Sequence, residues 1–560
     1  MPRRVYLLCL LFILALLPVA GSFIRHHPDE QHLPDAAMSM LESGDFITPR
    51  TGNGEMRMRK PILAYWVEAG SFALLGVSPL SVRLPYLIQG AAVVAFTAVL
   101  ALRVTRRRRA ALLAAAVMAC QLQLVYVSVH ALSDVMLTMW VLLAAIGFVA
   151  MALPRAGASR PVWAPWLAYG AVGLGVATKG MLPLAFLAVV LIWVILDWRC
   201  SDRAGEAPPF DRLWHGPAVL AGIVLGAAWY VAVFLLHRRE MFDDFVGDQF
   251  IRQVGSGATD PLRRGPVTAL GLAAGFAPFL LLLPELWWRR RTRGLPTDPP
   301  SRHVRRYARL AWMWAFVVVL IFAFAPRLTW RYEAPALPLL AVVLAGALCR
   351  ADYGLLLALL RRARWISAAV LAMTAAIGFV VHAQVASSSE GFAVAGLGLA
   401  LAGGVMWLGS RGKQAGAAIG FALSILVIIG YGFVCIRPAL GLEQSQEIAQ
   451  ALTDAGIGQG CPVLYLGKPA AASKLRVRTQ GRYAVTGAQA AVPLDAFDAV
   501  VVDLNDAPPV DLTGWTVREV EAGLVEPRAG DIWDAVLAGE LRSYLESHRG
   551  RYRVAVRKRS

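Results

Sequence analysis

Asp29, Lys60, Asp134 and Lys179 are charged residues at the ends of apolar runs, in a chain where only 16% of residues are charged. Asp29 and Glu30 open DEQHLPDAAMSMLESGD, and Lys60 closes RMRK behind Arg57 and Arg59. Asp134 follows His130 and Ser133 at the start of a long apolar run, and Lys179 interrupts GLGVATKGMLPL. Arg327, Arg331 and Tyr332 lie in FAPRLTWRYEAPALPLL. Lysine and arginine bind phosphate oxygens, and a carboxylate can orient or deprotonate an acceptor, so this set suits group transfer from a lipid phosphate. Each residue taken alone has an ordinary reading as a solvated interface acid or a snorkelled base. An acid at the start of a membrane helix, however, costs up to about 3 kcal/mol on insertion scales and calls for a partner or a purpose.

The elements that must position these residues follow from composition. The 560 residues are 57% hydrophobic with a mean hydropathy of +0.55, and apolar runs of about 20 residues match a hydrocarbon core of about 30 Å. The chain reads as a polytopic α-helical membrane protein with spans at 5–23, 82–102, 110–129, 132–153, 165–177, 180–197, 216–236, 267–288, 310–325, 335–349, 365–381, 392–408 and 415–435, about thirteen in all. The formal charge of +18 is concentrated in blocks at 103–109, 154–160, 197–203, 288–309, 350–364 and 410–413. These blocks fall on one side, as positive-inside topology requires, and exclude a nucleic-acid partner as the explanation of the charge. The first apolar run is longer than a typical signal-peptide core of about 7–15 residues and reads as an uncleaved helix. The six cysteines have no metal-binding or disulfide spacing.

The opposite face then collects loop 24–81, the turns at His130 and Lys179, 237–266, 326–333, 383–391 and everything after Arg437. Within the first loop, Pro34 suits a helix start, Ala37, Met38, Met40 and Leu41 give an apolar face, and Gly44 ends it. Residues 62–77 are apolar but short and contain Glu68, which fits an interfacial helix with Tyr65 and Trp66 at headgroup depth. Residues 1–436 form the membrane unit, and residues 437–560 a small extracytoplasmic α/β domain in which LYLGKP is not a phosphate loop.

The runs DEQHLPDAAMSMLESGDFITPR, RKPILAYW, SFALLGVSPLSVRLP, GLGVATKGMLPL and YEAPALPLL resemble, in order and spacing, the lipid A aminoarabinose transferase branch of the protein-mannosyltransferase-like GT-C glycosyltransferases. The resemblance covers roughly residues 1–350. It implies the GT-C fold with interfacial periplasmic helices, a periplasmic C-terminal domain, and transfer of a sugar from an undecaprenyl phosphate carrier. Asp29 falls on the family's principal catalytic acid, Lys60 on the Lys of the KP motif, Asp134 on the acid of the fourth helix and Lys179 on the Lys of the TKG motif. His32 and Leu33 replace the family's Arg-Tyr after the DE pair, and Arg59 stands where a metal-ligating Glu is frequent. In the large loop Asp248 and Gln249 stand where an acidic-His pair is common. With the expected zinc ligands replaced by Arg59 and Gln249, no metal is carried over from the resemblance, and dependence on a divalent metal stays open.

The expectation is a bacterial inner-membrane glycosyltransferase of EC class 2.4 with its active site facing the periplasm. It would move a sugar, with 4-amino-4-deoxy-L-arabinose as the candidate, from a polyprenyl phosphate to an envelope lipid or glycan such as lipid A. Asp29, Asp134 and Lys60 carry the catalytic roles, while Lys60, Lys179, Arg327 and Arg331 bind the donor phosphate. Glu30, Arg59, Tyr332 and Asp248 complete the candidate set. The alternative, a flippase of a lipid-linked sugar, calls for midplane charges and repeat symmetry. A membrane-anchored receptor would leave the five loop motifs without a role.

Overall fold

The computed structural model describes residues 3–22, 28–154, 160–199, 210–241, 261–280, 284, 287–288, 291–292, 300–325, 329–350, 353–411, 415–436, 438–440, 445–489, 492–524 and 529–557. Asp248, Gln249 and Arg327 lie outside these residues. The protein is a multi-pass membrane protein. Among the described residues, eight helices are long and apolar enough to cross a bilayer, or nine if one bent pair is a single span.

Helix α1 (Arg3–Ala20) buries Val5, Leu8, Phe12, Leu16 and Val19, the one stripe that helical periodicity brings together. A 3-10 turn (Pro28–Gln31) leads into α2 (His32–Ser43), which Gly44 ends in the left-handed conformation (φ 73°) with its N–H donated to the Met40 carbonyl. Residues 50–56 turn back on themselves through a single Arg50–Met56 bridge. Helix α3 (Leu63–Leu75) then runs below α2. Trp66 is exposed, whereas Tyr65 and Glu68 are fully buried against the bundle. Trp66 Nε1 donates to the Phe46 carbonyl (2.7 Å), and that bond turns the indole outward.

The bundle continues with α4 (Pro79–Thr105), α5 (Arg108–Ala119), α6 (Leu122–Ser128), α7 (Ser133–Ala152), α8 (Trp163–Lys179), α9 (Leu182–Arg199) and α10 (Gly216–Leu236). The span expected over 110–129 is two helices bent by 63°. No proline causes the break; Gln121 leaves the helix and its side-chain oxygen accepts the Leu124 N–H (2.9 Å), capping a new helix. Close crossing of α8 and α10 depends on glycine: a Cβ on Gly173 would lie 2.2 Å from the Gly222 carbonyl oxygen. Helices α11 (Pro261–Ala274), α12 (Arg302–Ala323), α13 (Leu337–Arg350), α14 (Tyr353–Val385), α15 (Ser388–Arg411) and α16 (Ala415–Tyr431) complete the membrane part.

The tail folds as a five-stranded sheet of order β2-β1-β3-β5-β4, with β1 (Pro462–Leu466), β2 (Ala484–Ala488), β3 (Ala499–Asp503), β4 (Trp515–Leu524) and β5 (Arg549–Arg557). The first three pair in parallel, Val463 lying opposite Val485 and Ala499, while β5 runs antiparallel to β3 and β4. The basic run RGRYRVAVR becomes a strand because Tyr552 and Val554 alternate inward while Arg549, Arg551 and Arg553 point out. Helices α17 (Ser445–Asp454), α18 (Pro469–Arg478), α19 (Ala529–Ala538) and α20 (Leu541–Ser547) pack around the sheet and against the membrane part.

Among the described residues, the tail meets the membrane part at the end of α14 and on the first loop. At the end of α14, Gln384 bonds the Val536 carbonyl (3.0 Å) and the Leu541 N–H (3.2 Å), beside an apolar cluster of Val381, Val536, Leu541 and Leu545. On the first loop, α18 inserts Arg476 between Asp35 (3.7 Å) and Glu42 (3.0 Å) of α2. Burial pushes the Asp35 carboxyl up to about 6, against the lowering pull of Arg476, the Ser473 hydroxyl and Arg57 and with a small push from Glu42. An acid whose folded-state value is raised binds its proton more tightly when folded. Stability is therefore greatest at low pH and falls as pH rises from about 4 through about 6. Thermal unfolding of the purified protein should show Asp35→Asn more stable than wild type at pH 8 by up to roughly 3 kcal/mol, with the difference narrowing at pH 4.5. Parallel wild-type and variant curves across that range would contradict the buried, ionisable contact.

Candidate active site

Asp134 is the centre of the site. It sits in the first turn of α7 and is 4% exposed. Lys179, the last residue of α8, donates a hydrogen bond to Asp134 Oδ1, and Arg331 Nε lies 3.9 Å from Oδ2. The charge of Lys60 also acts on Asp134. A buried carboxylate is tolerable only with such partners. Tyr332 covers the cations: Lys179 Nζ is 4.5 Å from its ring centre and the Arg331 guanidinium 5.3 Å, in cation–π contact. Phe322 stacks on that ring at 5.1 Å.

Arg331 and Tyr332 belong to a 3-10 segment (Trp330–Ala336) between α12 and α13. Glu333 anchors it: the buried carboxylate accepts a hydrogen bond from Gln123 of α6 (2.9 Å), and Trp314 Nε1 donates to the Pro335 carbonyl (3.0 Å). The break between α5 and α6 thus has a use, because it delivers Gln121 and Gln123 as polar groups into the apolar bundle beside Glu333.

The turn that carries Asp29 is fixed through its neighbour, and Asp29 itself is placed by its backbone alone. Glu30 is buried and paired in a fork with Arg83 of α4, Nε to Oε1 at 2.6 Å and Nη2 to Oε2 at 3.0 Å. Its Oε1 also accepts the Ala131 N–H (3.0 Å), and Arg83 Nη1 donates to the Ala20 carbonyl (3.3 Å) and to that of Ser22. Three segments distant in sequence, the end of α1, the start of α4 and the turn before α7, are tied to the residue next to Asp29. His130 bonds the Tyr126 carbonyl and packs at a tilt against that ring (4.2 Å between centres), holding the same turn.

The structure brings Lys60, Lys179, Arg331 and Tyr332 around Asp134. Arg57 acts elsewhere, on Asp35. Arg59 is half-buried next to Lys60 in the chain. Arg83, Gln123 and Glu333 were not singled out by the sequence reading. Their signal is a polar residue inside an apolar run, as in SVRLP and QLQLVY, which becomes specific only once a partner is seen. Among the described residues no three His, Cys, Asp or Glu side chains gather as a metal site. At the position where the resembling family places a ligand Glu, Arg59 is a cation that cannot ligate one.

The buried Glu30–Arg83 pair makes a testable energetic claim. Arg83→Met leaves a buried carboxylate without its cation and should cost about 3–5 kcal/mol, whereas Arg83→Met combined with Glu30→Leu should cost clearly less. Tryptophan-fluorescence melting of both variants decides it; equal losses would show that the two side chains do not act as a pair.

Residues 3–242 match the family described as dolichyl-phosphate-mannose-protein mannosyltransferase. An undecaprenyl phosphate-alpha-4-amino-4-deoxy-L-arabinose arabinosyl transferase of Pectobacterium carotovorum is 29% identical over 356 residues, covering 61% of this chain and 58% of that protein. An uncharacterized protein of Aquifex aeolicus is 25% identical over 348 residues, covering 60% and 64%. The chain thus spans less than two thirds of the length of these relatives. The crystal structure of ArnT from Cupriavidus metallidurans bound to undecaprenyl phosphate superposes with a TM-score of 0.68 at 18% identity, over 90% of this chain and 93% of that one. This likeness shows a shared GT-C fold. Residues 3–242, under half of the chain, are thus similar to the mannosyltransferase family, further likenesses lie among aminoarabinose transferases, and the fold is shared with ArnT.

Proposed function

We propose that the protein is a polyprenyl-phosphate-sugar-dependent glycosyltransferase of the bacterial inner membrane, with its active site facing the periplasm. Residues 1–436 would form the catalytic membrane unit and residues 437–560 a periplasmic domain. The observation that carries this reading is the gathering of Lys60, Lys179 and Arg331 around buried Asp134, on the face where the Asp29 turn lies.

The chemistry follows from charge. A polyprenyl-phosphate sugar is a phosphodiester with one negative charge. When the bond between the sugar C1 and the phosphate oxygen breaks, the electron pair leaves with the phosphate, which becomes a monoester carrying a second charge. Cations fixed at that oxygen favour the transition state over the bound donor. Lys60, Lys179 and Arg331 fill this role, and Arg327, outside the described residues, is a fourth candidate. Asp134 orients Lys179 and Arg331 by sharing its two oxygens between them. Asp29 orients the acceptor oxygen that attacks C1 and accepts a proton where that oxygen carries one. A single displacement of this kind inverts the anomeric centre. Tyr332 bounds the phosphate site through its ring. Glu30 serves through the Arg83 fork, and Arg59 and Asp248 stand in reserve as further contacts.

The names of the relatives support undecaprenyl phosphate as the carrier and 4-amino-4-deoxy-L-arabinose as the sugar. Lipid A or another envelope glycolipid is the acceptor this reading favours. His32, Leu33 and Arg59 mark where sugar or acceptor preference would depart from the family pattern.

Purified protein incubated with synthetic polyprenyl-phosphate sugars and envelope lipids should yield glycosylated lipid by mass spectrometry. Lys179→Ala should lower turnover by about 10²–10³-fold, the cost of losing one preorganised charge-stabilising donor. Asp29→Asn should leave donor binding intact and abolish product. Identical product profiles from wild type and Asp29→Asn would remove the site assignment. Movement of the lipid-linked sugar across vesicles with its glycosidic bond intact would favour a flippase instead.

A further inference from the structure

The tail carries an arginine that the transfer chemistry does not use. Arg476, in the last turn of α18, is 5% exposed, although it belongs to one module and its partners to another. Its Nη2 reaches both oxygens of Glu42 (3.0 and 3.2 Å), and its Nη1 lies 3.7 Å from Asp35 Oδ1. It also backs the 50–56 turn, since a Cβ on Gly52 would lie 3.2 Å from Arg476 Nη1. One helical turn earlier, the buried Ser473 hydroxyl donates to the Gln31 carbonyl (3.3 Å), the last residue of the turn that carries Asp29. The segment that follows Asp29 and the turn that precedes Lys60 therefore both meet α18.

Attachment of the tail does not require this contact, because Gln384 and the Val381–Leu541 cluster already hold it to α14. A polar contact that is costly to bury and unnecessary for tethering has a different consequence, which is to fix position. We infer that Ser473 and Arg476 are positioning residues through which the C-terminal domain sets the Asp29 turn and the segment leading to Lys60 in their working geometry. Glu30–Arg83 holds the turn from the membrane side, and α18 holds it from above. For its activity arm the inference rests on the transferase reading; its structural arm stands without it.

The experiment uses the full-length protein and compares Arg476→Ala, Arg476→Lys, Ser473→Ala and, as a tethering control, Gln384→Ala. Hydrogen exchange by mass spectrometry should show Arg476→Ala raising exchange of peptides over 28–43 and 50–60 by about tenfold or more, with α7, α8, β1 and β3 unchanged. Arg476→Lys should restore most of the protection, Ser473→Ala should give a smaller rise confined to 28–43, and Gln384→Ala should leave both peptides as in wild type. With a polyprenyl-phosphate sugar as donor, Arg476→Ala should lose about tenfold in kcat while KM for the donor stays within about twofold. Unchanged exchange over 28–43 in both Arg476→Ala and Ser473→Ala overturns the inference, as does an equal rise in Gln384→Ala. Lack of transfer by wild type with this exchange pattern intact would count against the transferase reading and leave the positioning role standing. If Arg476→Ala does not purify, Ser473→Ala decides the structural arm.

Discussion

The forked ion pair between Glu30 and Arg83 is the interaction on which the rest of the site depends. The loop also buries Leu33, Ala36, Met38 and Met40 in the apolar core, but apolar contact is non-directional, and the directed attachment falls to this pair. Both carboxylate oxygens are used, one of them twice, and the guanidinium also meets the carbonyls that end α1. Removing charges from water is expensive, and such a pair adds modest net stability. What it supplies is register, because every polar atom is satisfied only when the Asp29 turn, the start of α4 and the entry to α7 meet in one arrangement. The site inherits its precision from that requirement.

Asp134 follows the same logic. A carboxylate in the first turn of a membrane helix is held by Lys179 and Arg331, and in return it fixes two long, flexible cations that would otherwise sample many rotamers. Tyr332 limits them further from the side. Preorganised charge of this kind needs no rearrangement when a phosphate gains charge, which is where electrostatic catalysis gets most of its effect. The anchoring of Tyr332 and Arg331 runs through Glu333 to Gln123 and so to the break between α5 and α6. The least regular part of the bundle is thus the part that serves the site.

Much of this was legible from sequence because local physics dictates it. The apolar runs set most of the helices, Gly44 fixed the end of α2, and loop charge placed Asp134, Lys179 and Arg331 on one face before any contact was known. Pairings between distant residues were not legible. Nothing near Glu30 indicates that its partner is 53 residues away, or that Arg476 lies 434 residues from Glu42. The inward turn of Tyr65 and Glu68 is not legible either, because apolarity alone does not say which face of a short helix meets the bundle. The terminal strand is obscured by its arginines: β5 alternates with a period of two, but its exposed face is all arginine over the first five residues. The bend near Gln121 has no Pro or Gly to announce it.

The central claim is that the cations around Asp134 bind the phosphate of a polyprenyl carrier. Native mass spectrometry of the detergent-solubilised protein, titrated with undecaprenyl phosphate and in parallel with undecaprenol, tests it most directly. The account predicts a one-to-one complex with the phosphate that is at least about tenfold tighter than with the alcohol, and loss of that preference in Lys179→Ala and Arg331→Ala. Equal binding of phosphate and alcohol, or a preference that survives both substitutions, would contradict it.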